Sequence, residues 1–361
     1  MSLIFLESKE QEMELAQKVF EQQFRLDEEL YYEYDERRKR LMLQDIYYNL
    51  EYLSVAMKFD AEILIRDYAD WLYHLLAHRM RELSSERVKE QMVMHYQVLK
   101  EVLSQELTEE EANKAAYHLG QAIQATEEAS IEDLPSDWFG EGELGWLREK
   151  YLQLLLDGEK RHAVEIVNKV YKEGVSLERI FLEVFQMVMY RIGDLWHKGE
   201  ITVDKEHYCT AVTQSAIAQF YPVIFATPRK GLSMLACCVG NELHEMGIRM
   251  ICDLFELRGW DSTYLGAAVP TDSVINAVKE NQPDLVAFSV TMPHHLKTCH
   301  ELVTKLKENH EVKNFKLALG GRAFKLAPDL YLKWEADFFA VNGKELTDWA
   351  DRLFQDTDVN L

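Results

Sequence analysis

Long hydrophobic runs are missing from this chain. No window approaches the ~20 apolar residues that a bilayer-spanning helix needs. The first nine residues have no basic segment leading into an apolar one, so neither a membrane span nor a secretory leader is expected. Positive charge is scarce as well: 40 Lys and Arg stand against 62 Asp and Glu, a net charge of −22 over 361 residues. Nucleic-acid binding takes its affinity from cations that displace counterions from phosphates, and no basic patch offers them here. The short run Arg37-Arg38-Lys39-Arg40 follows Asp35 and Glu36 and reads as a solvated helix face. Cysteine is sparse too. Cys209, Cys237, Cys238, Cys252 and Cys299 are odd in number and fit no zinc spacing, so they read as buried, reduced thiols of a cytoplasmic protein. Disorder is excluded as a global description, because 47% of the residues are hydrophobic and only 28% charged.

What is present is organised in blocks. Proline is absent from residues 9–126, and apolar positions such as Ile46, Leu50, Leu53 and Met57 recur at helical spacing. Residues 1–126 are therefore an all-α domain of five or six helices, with Asp60 expected to cap the start of the helix that carries Ile63, Leu64 and Tyr68, and Thr108 to open another. Residues 127–143, EEASIEDLPSDWFGEGE, form a linker with a proline, two glycines and a run of acids. Residues 144–225 return to a helical pattern that divides into four helices. From residue 230 to 357 the period changes. Strand-like segments (the apolar run 232–240, then 262–265, 285–289, 316–319 and 338–341) alternate with helices of ten or more residues, which predicts βαβ units and a doubly wound, flavodoxin-like parallel sheet. The fold class is thus α plus α/β. Ligands of such sheets bind beyond the carboxyl ends of the strands, where the informative residues fall.

After the first strand comes Glu242-x-His244-x-x-Gly247, a carboxylate two residues before an imidazole. Histidine is the commonest metal ligand, and a neighbouring carboxylate orients its ring and raises its basicity. Forty-one residues separate Gly247 from Ser289-Val290-Thr291 at the end of the third strand, and 28 more lead to Gly320-Gly321 at the end of the fourth. This arrangement resembles the cobalamin-binding fingerprint of corrinoid proteins, Asp-x-His-x-x-Gly followed at matching intervals by Ser-x-Thr and Gly-Gly. Glu242 stands where that pattern has Asp. The resemblance implies that His244 is the lower cobalt ligand, that Ser289 hydrogen-bonds a buried benzimidazole and that Thr291 lines its slot. It further implies that Gly247, Gly320 and Gly321 let the nucleotide tail pass close to the backbone. Leu265-Gly266 and Val269-Pro270 resemble the loop that contacts the corrin.

The segment before the sheet contains Trp196-His197, a Gly199-Glu200-Ile201 turn, Val203 and the pair Glu206-His207. These spacings resemble the helical cap of CarH-type photoreceptors, bacterial regulators that sense light through adenosylcobalamin. The resemblance implies that Trp196 packs over the upper ligand, that Val203, Glu206 and His207 lie close to the adenosyl group, and that His197 becomes the upper ligand after photolysis. It covers slightly more than half of the chain. The expected function is a cytoplasmic adenosylcobalamin-binding light sensor in signal transduction. It is no enzyme: loss of the Co–C bond moves the cap and alters contacts with subunits or a downstream protein. A homo-oligomer is expected, with neither nucleic acid nor membrane as a partner. The basic helix-turn-helix domain that begins CarH-type regulators has no counterpart in the acidic residues 1–126. The alternative is a corrinoid methyl carrier for a methyltransferase, which the Trp196 and Glu206-His207 pattern disfavours. A further variant adds a bilin held by Tyr31, Tyr32, Tyr34, Tyr47, Tyr48, Tyr52, Trp71, Tyr73, His74 and His78, a set that helical spacing also explains as core and interface.

Overall fold

The computed structural model describes residues 9–131, 139–312 and 314–358. Part of the linker expected over 127–143, and most of the N-terminal segment 1–9, lie outside the described residues. The chain forms two compact units, Met1–Glu132 and Asp133–Leu361. No helix among the described residues is long and apolar enough to cross a membrane.

The first unit is helical: α1 (Lys9–Leu26), α2 (Glu28–Glu33), α3 (Glu36–Phe59), α4 (Glu62–Arg79), α5 (Ser85–Glu106) and α6 (Glu109–Glu128). Its helices begin where the sequence supplies oxygen acceptors. Asp35 accepts from Arg38 N–H, Ser84 from Arg87 N–H, and Thr108 from Glu111 N–H. Each of these satisfies a backbone donor that the first turn leaves open. Asp60 departs from expectation. It closes α3 in the left-handed region, φ 51°, with its N–H on Ala56 O, and Ala61 holds the start of α4 without a side-chain cap. Aspartate tolerates this conformation better than most residues because its short polar side chain bonds locally. The aromatic-rich stretches divide: Tyr31 and Tyr32 are exposed, whereas others build core. Tyr52 and Tyr73 are buried, and the Tyr52 ring stacks on Tyr68 with centroids 3.8 Å apart.

The second unit opens with the helical cap: α7 (Gly145–Leu156), α8 (Lys160–Lys172), α9 (Leu177–Arg179), a π-helical segment Ile180–Phe185 continuing into α10 (Gln186–His197), α11 (Val203–Ala218) and the short α12 (Tyr221–Ile224). Ser176 caps α9, as its position predicts. The π-helical segment is braced from α7, since the buried Arg148 donates to Glu183 O at 3.1 Å and to Phe139 O at 2.6 Å. Tyr151, Phe181 and Phe185 are fully buried there.

The sheet follows. Its elements are β1 (Ser233–Cys238), α13 (Met246–Leu257), β2 (Asp261–Tyr264), α14 (Thr271–Asn281), β3 (Leu285–Ser289), α15 (Leu296–Glu308), β4 (Lys316–Gly320), α16 (Arg322–Leu326), α17 (Asp329–Lys333), β5 (Phe338–Ala340) and α18 (Gly343–Asp358). All pairs are parallel, in the order β2-β1-β3-β4-β5. The direction of winding reverses beside β1, which is where a doubly wound sheet opens its ligand crevice. Register aligns the informative ends: Cys238 faces Ser289, Ser289 faces Gly320, and Gly320 faces Ala340. The central strands β1, β3 and β4 are buried along most of their length, as their apolar runs require, and all five cysteines are free and buried. Cap and sheet share a core through α13. Its Met246, Met250 and Leu254 join the cap cluster around Phe181, while Ile248, Cys252 and Phe255 pack beneath the sheet with Trp260.

Candidate functional site

The loop between β1 and α13 carries Glu242 and His244 off the carboxyl edge of the sheet. Gly240 turns it with φ +71°, and a side chain there would strike the ring of His295 at 2.8 Å. Glu242 is buried to 1% exposure, whereas the His244 side chain remains 60% exposed. Oε1 of Glu242 accepts from both the backbone N–H (3.2 Å) and Nδ1 of His244. Oε2 accepts from Thr291 N–H at 3.0 Å and Met292 N–H at 2.9 Å, and His295 Nδ1 lies 3.6 Å away. The loop after β3 therefore grips the carboxylate, and the carboxylate grips the imidazole. Two motif elements that the sequence separates by 41 residues meet through one side chain.

The electrostatics follow from that geometry. Burial pushes the Glu242 carboxyl up, but hydrogen bonds from His244 and from Met292 N–H outweigh it and hold the group well below the usual carboxylate range. The hydrogen bond to Glu242 raises the His244 imidazole against its own desolvation, with a smaller contribution from the Glu206 charge. With Nδ1–H committed to Glu242, Nε2 is the nitrogen left to bind a metal. Among the described residues no group of three or more His, Cys, Asp or Glu is placed to hold a metal ion. A single oriented imidazole suits a metal that brings its own ring of nitrogen ligands, and a cobalt corrinoid is such a group.

The other expected residues gather around the same edge. Ser289 ends β3, and its carbonyl accepts from Val239 N–H at 3.2 Å. Leu265 N–H bonds Ala236 O and Gly266 O accepts from Cys238 N–H, which fixes the loop after β2 beside β1. Val269 and Pro270 lead from that loop into α14. A side chain at Gly247 would meet open space. At Gly320 it would come within 3.3 Å of Ala340 O. Gly321 has φ +94°, and its added Cβ would sit 2.3 Å from Val290 O, so the chain's own backbone already demands glycine there.

In the cap, Trp196 and His197 end α10 and are half-buried. Val203 starts α11 and is 51% exposed. His207 Nδ1 meets Glu206 Oε2 at 2.5 Å, and Glu206 Oε1 accepts from Thr210 Oγ1 at 3.0 Å. Sequence reasoning missed four participants. The N–H groups of Thr291 and Met292 have no side-chain signature, although the position of the loop after β3 made them available. His295 was visible only as a histidine after Pro293. Glu245 was passed over as well: its carboxylate accepts from Gln214 Nε2 of α11 at 3.1 Å and from Tyr264 Oη of β2 at 2.8 Å.

Comparison with known proteins agrees with this geometry. Residues 232–347 match the family described as B12 binding domain, and residues 147–221 match a second family with the same description. The chain is 29% identical over 132 residues to the HTH-type transcriptional repressor CarH of Myxococcus xanthus, a match spanning 36% of this chain and 43% of that protein's length. It is 22% identical over 191 residues to the trimethylamine corrinoid protein of Methanosarcina barkeri, covering 50% of this chain and 88% of the relative. The solved monomethylamine corrinoid protein of Methanosarcina barkeri covers 58% of this chain with a TM-score of 0.52 at 16% identity, and so shares the fold. The class is thereby defined as a helical cap joined to a Rossmann-like domain. The chain carries B12 binding domains in both the cap and the sheet region and is a cobalamin-binding protein.

Proposed function

We propose that this protein is an adenosylcobalamin-dependent light sensor whose cap moves when the upper ligand is lost. Bound adenosylcobalamin supplies a Co–C bond that green light breaks. His244 offers Nε2 as the lower ligand, and Glu242 holds the ring. Ser289 and Thr291 border the slot for the benzimidazole, with Gly247, Gly320 and Gly321 leaving room for the nucleotide tail. Leu265, Gly266, Val269 and Pro270 contact the corrin rim. Trp196, Val203, Glu206 and His207 are the residues that would meet the adenosyl group, and His197 is the cap imidazole that would be available to the cobalt once that group is lost. A cap whose contacts differ between the two cofactor states biases a conformational equilibrium by that difference. Subunit or partner contacts in a homo-oligomer are then the output.

The observation that carries this reading is the Glu206–His207 pair at the exposed start of α11, within the same compact unit as the anchored His244. A methyl carrier has no evident use for such a polar pair over the ring. That second reading draws its support from coverage, since the chain spans 88% of the trimethylamine corrinoid protein but 43% of CarH.

The test is spectroscopic. Loaded with adenosylcobalamin in the dark, the chain is expected to change its absorption under green light toward a bis-imidazole form, and His197→Ala to abolish that final form. An unchanged spectrum removes the light-sensor reading. Competition then separates the two functions: a sensor prefers adenosylcobalamin to methylcobalamin, and a carrier does not. His244→Ala is expected to lose the axial-imidazole spectrum and most cobalamin retention. Parent-like values for both would remove His244 as the ligand.

A further inference from the structure

The N-terminal unit contains a cavity of about 320 Å³ between α1, α3, α4 and α5. Most of its wall is apolar, with Leu41, Ile46, Leu72 and Leu76 beside Met42, Met80 and Met92. That volume lies at the small end of ligand pockets, and the space between bundled helices is one of the places where such pockets occur. Of the aromatic residues singled out from the sequence, only Tyr34 reaches it.

Three of its lining residues keep a buried polar atom without a hydrogen-bond partner: Asn49 Oδ1, His95 Nε2 and Tyr96 Oη. Asn49 is 3% exposed and Tyr96 1%. Native interiors rarely leave such atoms unpaired, and each one calls for an explanation. Their chemistry is specific. Asn49 spends its amide N–H on Asp45 O at 2.7 Å, so Oδ1 remains an acceptor. His95 Nδ1 bonds Gln23 Oε1 at 2.7 Å, which makes Nδ1 the protonated nitrogen and leaves Nε2 an acceptor. Burial pushes this imidazole down to about 4, so it is neutral at physiological pH. The unpartnered Tyr96 hydroxyl is available to donate. The charged side chains of the lining balance, Arg38 and Arg79 against Asp45 and Glu82, and Arg38 pairs with Glu82 at 3.0 Å. The cavity thus has two acceptors and a donor just behind an apolar wall, and no net charge among its lining side chains.

We infer that this cavity binds a neutral, largely apolar small molecule with an amide-type edge, an N–H beside a C=O. The C=O accepts from Tyr96, and the N–H donates to Asn49 Oδ1 or His95 Nε2. Flexible Met42, Met80 and Met92 let the wall give way until the polar edge reaches those atoms. The site is independent of cobalamin and lies wholly within the first unit.

Oxindole is a suitable probe, since it joins an apolar bicycle to a lactam edge. N-methyloxindole lacks the donor, and indane lacks the polar edge altogether. Titration calorimetry on the full chain is expected to show one oxindole per chain, with N-methyloxindole binding about tenfold more weakly. Tyr96→Phe weakens oxindole by a similar factor and leaves indane unchanged. This substitution removes only an unpartnered hydroxyl, so its melting temperature should equal or exceed the parent's. Asn49→Leu provides a second variant, losing oxindole while keeping indane. Equal affinity for oxindole and indane, oxindole binding untouched by both substitutions, or no oxindole binding at millimolar concentration overturns the inference.

Discussion

Glu242 and Glu206 each stand within two residues of a histidine, and the fold treats them in opposite ways. Glu242 is sealed at 1% exposure and receives two backbone N–H groups from another strand's loop as well as its own histidine. Glu206 is 27% exposed, and its contacts, Thr210 and His207, come from its own helix. One pair is locked by tertiary structure, whereas the other is held only locally. A ligand that must stay on the metal in both states of a switch needs the first arrangement. Residues that must release one upper ligand and accept another need the second.

Breaking the locked side should cost most. In the cofactor-free chain Glu242→Ala leaves Thr291 N–H, Met292 N–H and the His244 ring without their acceptor. The expected loss is about 3 kcal/mol of unfolding free energy, measured by urea denaturation. Glu206→Ala should cost less than about 1 kcal/mol, since a partly exposed local pair contributes little. Equal losses would erase the distinction.

A third carboxylate sharpens the same contrast. Asp253 on α13 is 6% exposed, like Glu242 deeply buried, but its Oδ2 has no hydrogen-bond partner. Burial raises it from 3.8 to about 7, against the pull of Arg249. The two groups therefore respond to pH with opposite signs. Glu242, depressed when folded, contributes stability that is present above its unfolded value of 4.5 and lost as pH falls through its folded value. Asp253 binds a proton more tightly when folded, so its contribution is complete below 3.8 and falls away as pH rises to about 7. Asp253→Asn removes that second dependence. Its advantage over the parent should widen by about 2 kcal/mol between about pH 5.5 and about pH 8, read as unfolding midpoints. A constant difference would mean that Asp253 is solvated or paired in solution.

The same division explains what the sequence made legible. The strand Leu285–Ser289, the cap helices and the Glu242–His244 spacing rest on local pattern, and the structure reproduces each of them. The acceptor role of Glu242 toward Thr291 and Met292 depends on backbone groups 49 and 50 residues away, and backbone groups leave no trace in residue identity. The sequence places Asp60 at the start of the helix after it, whereas its φ of 51° puts it at the end of the helix before it, a difference that residue identity does not encode. His295 and Glu245 lie beside the right motifs, yet their partners come from elements that only the folded topology brings near.

Glu245 gives the smallest effect and the most direct probe of how the two sides communicate. It follows His244 in the chain, and its carboxylate ties α11 of the cap, through Gln214, to β2 through Tyr264. A displacement of the His244 loop therefore changes a contact on the helix that carries Glu206 and His207. Gln214→Ala removes the cap's half of this bridge and leaves Tyr264 in place. The expected cost is at most about 1 kcal/mol, one partly buried hydrogen bond, too little to unfold the unit. Its signature should be local: amide hydrogen exchange in α11 rises severalfold while that of β1 and β3 is unchanged. If α11 exchange matches the parent, the cap is held by its apolar core with α13 alone, and the His244 loop and the cap are coupled through packing rather than through this bridge.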